Sequence, residues 1–521
     1  MNRLVILSLL CLGAALRIRA AEAASASAEE LQQLRAQIVQ QREQIQKLQQ
    51  AIDTQQKLIE QTLRSTPVVN AAAAKTKAPD QQEKPNSGGS PLSINIGNTT
   101  FTPLGFVDAT LFGRSTNSGS GIGTNFGSIP YNTSPTGHLS ELNFSTQNSR
   151  IGFRVDSNFR GANVLGYFEA DFLGNQPGNV FVSSNSDTFR MRNIFVDVRK
   201  SKFEVLAGQD WSMAVPNRRG ISPLPSDIFY TQNMDTNYQA GLVWSRQTQF
   251  RFVVHPNENF ALGLSLENPQ QYLGGSSGGG PVVLPAAFIS TAGGQFNNGS
   301  NSYGAANLRP DIIFKGAYDW HPGGKLMHLE AVGLLRTFKF AYGTAKPVVY
   351  QASSATAASG EVNANLEVVK GFRLIANTFF GSGNGRYVFG QAPDAVIRAD
   401  GSISPVHTYS TVDGFEAKAG KNTLIYGYYG AIYMKRNTAL DANGTTPIGY
   451  GFAGSPNTQN RTIQEGTFGV VQTLWTSEGY GSLALITQYS YLTRNPWYVA
   501  AGSPKDARTN MYWVNLRYSL P

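Results

Sequence analysis

Cysteine is almost missing. The single one, Cys11, lies in an apolar leader, so no disulfide braces the remainder of the 521 residues. Charge is scarce too: Asp, Glu, Lys and Arg make up 15%, against about 25% in ordinary soluble domains. Apolar residues do not fill the gap, at 41%, and mean hydropathy is −0.23. Past the leader no apolar run reaches the 18 or so residues of a membrane-spanning helix, which excludes a bundle of such helices. The five histidines, His138, His255, His321, His328 and His407, show no metal-ligand spacing. HExxH, GxSxG and phosphate-loop patterns are absent. Gly381 to Gly385 is glycine-rich but no Lys-Ser/Thr follows, and a strand-end loop explains it. No enzyme, cofactor or metal is expected. A chain poor in both charge and long apolar runs fits a wall with one greasy and one wet face, whose compositions average out.

What is present falls into segments. Asn2-Arg3, the apolar stretch Leu4 to Ala15 and the small-x-small site Ala21-Glu22-Ala23 predict a secretory signal over 1–23. Residues 24–64 predict an α-helical coiled coil: Leu31, Leu34, Ile38, Ile45, Leu48, Ile52 and Ile59 keep heptad spacing, with Gln41 and Gln55 as polar core positions. A stripe that narrow needs partner helices to bury it. Residues 65–100, rich in Ala, Lys, Pro, Gln, Ser and Gly, read as a flexible linker.

From 101 to 521 the period is two. Leu262, Leu264 and Leu266 alternate with small residues. Leu424, Tyr426, Tyr428, Ile432 and Met434 share one parity, as do Leu483, Leu485, Tyr489 and Tyr491. Tyr512, Val514, Leu516, Tyr518 and Leu520 oppose Asn515, Arg517 and Ser519. Such sets predict lipid on one side and water on the other. Short links, such as Phe159 to Ala162, Lys200 to Lys202 and Lys370-Gly371, alternate with long Gly/Ser/Asn/Pro stretches. These run at about 115–140, 175–188, 212–236, 268–309, 342–360, 383–410, 437–460 and 494–509. Seven turns and eight loops join sixteen strands. The expectation is an all-β fold, a 16-stranded antiparallel transmembrane β-barrel. A soluble sandwich or propeller would match the alternation but not the short–long rhythm of connections.

A barrel of that size holds an aqueous channel, so inward charges decide what passes. Around Ile151, Phe153 and Val155 the inward parity carries Arg150, Arg154 and Asp156. Near Phe250 and Phe252 it carries Arg251, and opposite Phe168 it carries Tyr167, Glu169 and Asp171. Arg190 and Arg192 share a parity, but Ile194, Val196 and Val198 share it too. Either that strand starts later or a bulge intervenes. The loop after Trp211 holds Pro216, Arg218, Arg219, Pro223 and Pro225; it either folds into the lumen or lies in solvent. The net charge of +9 and arginines that cannot deprotonate favour anions. The alternative for each residue is an Arg–carboxylate pair bracing the wall.

Several stretches resemble the DcaP-like trimeric outer-membrane porins and, more distantly, phosphate-selective porins. They are Asn148-Ser149-Arg150-Ile151-Gly152-Phe153, Gly166 to Phe172, Leu206-Ala207-Gly208-Gln209-Asp210-Trp211-Ser212 and Arg246-Gln247-Thr248-Gln249-Phe250-Arg251, behind an N-terminal coiled coil. The resemblance implies a homotrimer in the cell outer membrane, with the coiled coil in the periplasm. It also implies a basic constriction for small organic anions such as dicarboxylates, lined by Arg150, Arg154, Arg190, Arg192 and Arg251. The expected partners are thus outer-membrane lipid, further copies of the chain and small anionic solutes, with no nucleic acid. Two other readings are a tethering protein whose barrel is only an anchor, and a barrel enzyme.

Overall fold

The computed structural model describes residues 90–521 other than 175–186, 229–231, 276–279, 298–306, 308 and 344–348, and Gln46 ahead of them. The signal and coiled coil expected over 1–64 lie outside the described residues, Gln46 excepted.

Sixteen antiparallel strands form the wall. In chain order they are β1 (Thr99–Arg114), β2 (Glu141–Ser145, resumed by Arg150–Phe159), β3 (Ala162–Asp171), β4 (Arg190–Lys200), β5 (Phe203–Trp211), β6 (Arg246–Val254), β7 (Phe260–Glu267) and β8 (Asp311–Trp320). There follow β9 (Met327–Gly343), β10 (Tyr350–Val369), β11 (Phe372–Ser382), β12 (His407–Lys418), β13 (Thr423–Met434), β14 (Asn460–Ser477), β15 (Gly481–Pro496) and β16 (Ala507–Ser519). Each pairs with its sequence neighbours, and β1 closes the ring. Phe106 faces Arg150 of β2 on one side and Ser519 of β16 on the other. Closure leaves no unpaired edge, which hydrocarbon would penalise heavily. Pairing begins before the barrel, where Ile94–Ile96 lies along Thr99–Phe101 in the stretch read as linker.

The seven short turns fall where the sequence places them. Arg160 and Gly161 both take positive φ, 51° and 77°, which matches a type I′ hairpin and the strands' twist. At the other end β9 and β10, 17 and 20 residues long, rise as a tall hairpin. The expected loop at 342–360 is therefore mostly strand.

The faces are inverted relative to a soluble protein. On β6, Phe250, Phe252 and Val254 are exposed while Gln247, Gln249 and Arg251 are buried. The same holds for Tyr512, Val514 and Leu516 against Asn515 on β16. An apolar exterior this continuous is foreign to a soluble surface; it matches hydrocarbon.

Two local features shape the wall beside the lumen. The break in β2 is patched by side chains: Asn148 Nδ2 donates to Asp108 Oδ2 at 2.6 Å, and the Asp108 amide donates to Ser149 Oγ at 2.9 Å. In β4 the register slips between Glu169–Asn193 and Ala170–Met191 pairing, leaving Arg192 as the extra residue. A bulge therefore intervenes, so Arg190 and Arg192 point inward while Ile194, Val196 and Val198 face out.

A second sequence expectation is overturned. On β13 the set Tyr426, Tyr428, Ile432 and Met434 is buried inside, and Tyr429 and Tyr433 face out. The reason is the loop between β5 and β6 (residues 212–245), which lies within the barrel against this strand. Gly430 allows the approach: a Cβ there would sit 2.0 Å from the Ala240 carbonyl oxygen. The inner face of β13 thus meets protein rather than water.

Candidate functional site

The 212–245 loop crosses the lumen, held largely by acids of the wall. Glu267 Oε1 accepts the Met213 amide at 2.9 Å, Glu330 Oε1 the Asn217 amide at 3.0 Å, Asp319 Oδ2 the Gly220 amide at 2.9 Å and Glu465 Oε2 the Ala240 amide at 2.9 Å. Arg218 reaches Glu416 of β12 with two bonds of 2.8 and 2.7 Å, and Lys315 Nζ bonds the Val215 carbonyl at 2.9 Å. A buried amide left without an acceptor is costly, so these side chains fix the loop and are covered by it.

Two cavities flank the loop. The one toward the long connections is about 790 Å3 and is bordered by Arg190, Arg246, Arg386, Trp244, Tyr272 and Phe389 among others. The second, about 230 Å3, is bordered by Arg150, Arg218, Arg517, Asp235 and Tyr238. Thr236 borders both. Six arginines and one carboxylate thus line the two spaces, among the described residues.

Most of these arginines are ion-paired, and the pairs share a polarity. Arg190 forks onto Asp171 at 3.0 and 2.7 Å, yet its side chain is 40% exposed and that of Asp171 0%. Arg517 holds Asp108 at 2.7 Å, with 25% against 0%. Arg386 meets the fully buried Asp311 at 3.2 Å. The guanidinium faces the cavity and the acid lies behind it, so a neutral pair presents a positive surface. Asp235, the one lining acid, is held above the ordinary carboxylate range by burial, against the opposing pull of Arg114.

Between the cavities sits Tyr238, whose φ of 63° is unusual for a bulky residue. Its hydroxyl accepts hydrogen bonds from Arg150 Nη2 and Arg192 Nη2, both at 3.3 Å. Burial alone would raise the Tyr238 phenol, but Arg150 and Arg192 outweigh it and hold the group below its usual value. Arg192 also binds Glu169 at 2.6 Å and Asp171 at 2.7 Å. Trp244 packs edge-on to Tyr238, ring centres 5.0 Å apart, and stacks on Phe389 at 4.7 Å.

The expected site residues therefore divide. Arg150, Arg190 and Arg218 border cavities. Arg192, Glu169 and Asp171 form the layer behind them. Arg251 is buried in the wall against Asp210 and the Trp211 carbonyl, Arg154 forks onto Asp156 of its own strand, and Arg219 is exposed on the loop; none of these three borders either cavity. Sequence reasoning passed over Arg246, Arg386, Arg517, Asp235 and Tyr238 as lining groups. Only Arg517 carried a usable signal, its inward parity on the last strand.

No protein-family model matches the chain, and no curated protein matches it in sequence. The outer-membrane channel DcaP of Acinetobacter baumannii has the same fold, at a TM-score of 0.57 and 15% identity over 82% of this chain and 98% of that one. Weaker similarity extends to an anion-selective porin from Comamonas acidovorans (0.44, 14% identity, 81% and 99% covered) and to OmpT, an outer-membrane protein of Vibrio cholerae (0.43, 10%, 82% and 99%).

Proposed function

We propose that the protein is an outer-membrane porin through which small hydrophilic solutes diffuse, with a preference for anions such as dicarboxylates. The observation that carries this is the orientation of the Arg–carboxylate pairs, cation toward the cavity and acid behind. With the ion about 5 Å from a guanidinium and the acid about 4 Å farther, each pair attracts a monovalent anion by about 0.4 kcal/mol at the dielectric of water. The two such pairs of the first cavity, at Arg190 and Arg386, together give about 0.7 kcal/mol, roughly a threefold enrichment. That predicts preference rather than exclusion, which suits a conduit: ions must bind weakly enough to leave. Arg190, Arg246 and Arg386 gather the anion, Arg150 meets it beside Tyr238 with Arg192 behind, and Arg218 and Arg517 take it onward. The working assembly is a homotrimer whose coiled coils meet in the periplasm.

Arg246 gives the cleanest test, because it has no carboxylate partner among the described residues and its removal strands no buried acid. In Arg246→Gln the anion-to-cation permeability ratio falls about threefold or more, the loss of one unpaired charge near the path. An unchanged ratio in a variant of normal conductance would remove the arginine argument.

A further inference from the structure

On the outer face of the barrel, at the long-loop end, the basic side chains are unevenly distributed. Lys435 and Arg436 directly follow β13, Arg461 lies at the start of β14, and Lys505 and Arg508 flank the start of β16; all five are exposed. Pairing makes them neighbours. Tyr433 faces Thr462 across β13 and β14. Arg461 sits where the register slips between the Asn460–Pro496 and Thr462–Asn495 pairs, and Asn495 Nδ2 donates to the Lys505 carbonyl at 3.2 Å. Three strand spacings of about 4.8 Å make the row roughly 15 Å wide. The one acid within it, Asp506, is taken by Arg508 at 2.7 Å. Lys435, Arg436, Arg461 and Lys505 have no ion-pair partner among the described residues, although Arg436 stacks over Trp497, 4.4 Å from its ring centre. By contrast the loop from Phe172 to Phe189 has no lysine or arginine.

Beneath the row the same outward faces turn aromatic. Tyr433, on β13, precedes Lys435 by two residues, Tyr489 and Tyr491 lie on β15, and Tyr512 lies below Arg508 on β16; all four rings are exposed. Tyrosines of this kind settle where hydrocarbon gives way to headgroups. Cations one step farther out stand at headgroup height, the level of lipid phosphates, where clustered Lys and Arg hold anionic headgroups. Bulk solvent needs no such order, with apolar, aromatic and then basic residues in register on adjacent strands.

We infer that the β13–β16 rim is a binding site for a phosphorylated glycolipid of the outer leaflet, with its phosphates on Lys435, Arg461 and Lys505 and its acyl chains along the tyrosine-bearing faces. The inference uses the membrane placement of the barrel but not its ion preference, because none of these residues borders either cavity.

The test compares full-length protein with the triple variant Lys435→Gln, Arg461→Gln, Lys505→Gln in mild detergent, with bound lipid counted by native mass spectrometry. The probes are bis-phosphorylated lipid A, the same lipid with both phosphates removed, and inorganic phosphate as competitor. Wild-type protein should hold the phosphorylated lipid about tenfold more tightly than the dephosphorylated one. The variant should lose that margin while keeping wild-type single-channel conductance, which shows it is folded. Millimolar inorganic phosphate should not displace the lipid. Equal binding of both lipids, an unchanged margin in the conducting variant, or displacement by phosphate alone would each overturn the assignment. Loss of ion preference with the lipid margin intact would count against the proposed transport function and leave this site standing.

Discussion

Asp235 and Tyr238 lie three residues apart on the lumen loop, and both sit among arginines with opposite consequences. The phenol is drawn toward ionisation by Arg150 and Arg192, while burial keeps the Asp235 carboxyl protonated to higher pH than usual. A raised carboxyl is neutral below its transition and negative above it. The second cavity therefore gains an opposing charge as pH climbs through that transition, and anion preference declines. In Asp235→Asn that part of the decline disappears: reversal potentials on the high-pH side of the transition stay closer to their acid-side value than in wild type. Identical pH profiles for the two proteins would count against this role for Asp235.

At the scale of elements, the loop and the wall specify each other, and that is why the site was only partly legible. The period of two and the alternation of short and long connections are local signals, so the sixteen strands and their turns could be read off the sequence. Arg150, Glu169 and Asp171 followed from parity alone, whereas the direction of Arg190 depended on the bulge in β4. Tyr426 and Tyr428 were misplaced because their side faces a loop that arrives from two hundred residues earlier, and no local pattern announces that. Arg386 was missed for a related reason: it lies in an irregular segment where parity has no meaning, yet that segment folds back over Asp311. The loop's anchors can be tested one at a time. Glu465→Ala leaves the buried Ala240 amide without its acceptor, a cost of about 1–3 kcal/mol. Since the loss is local, the expected outcome is a barrel that still folds, with a looser loop, noisier open-channel current and larger mean conductance. A quiet trace of wild-type amplitude would show that this contact does not hold the loop.

At the scale of the whole molecule, apolar exterior and polar interior only make sense together in a membrane, and the positive net charge of the chain matches what the two cavities present. The heptads ahead of the barrel add a separate expectation. Removing residues 28–64 should lower the temperature at which detergent-solubilised oligomers fall apart, while each released barrel still shows the heat-dependent gel shift of a folded β-barrel. Oligomers of unchanged thermal stability would assign assembly to the barrel wall alone.

All of this depends on a solute path whose walls turn cations inward. The most direct check is the zero-current potential of the purified protein in a planar bilayer separating concentrated from dilute potassium chloride. The account predicts a steady ohmic current and a potential of the sign set by chloride moving down its gradient. A potential of the opposite sign, or a bilayer that carries no current with folded protein inserted, would contradict it.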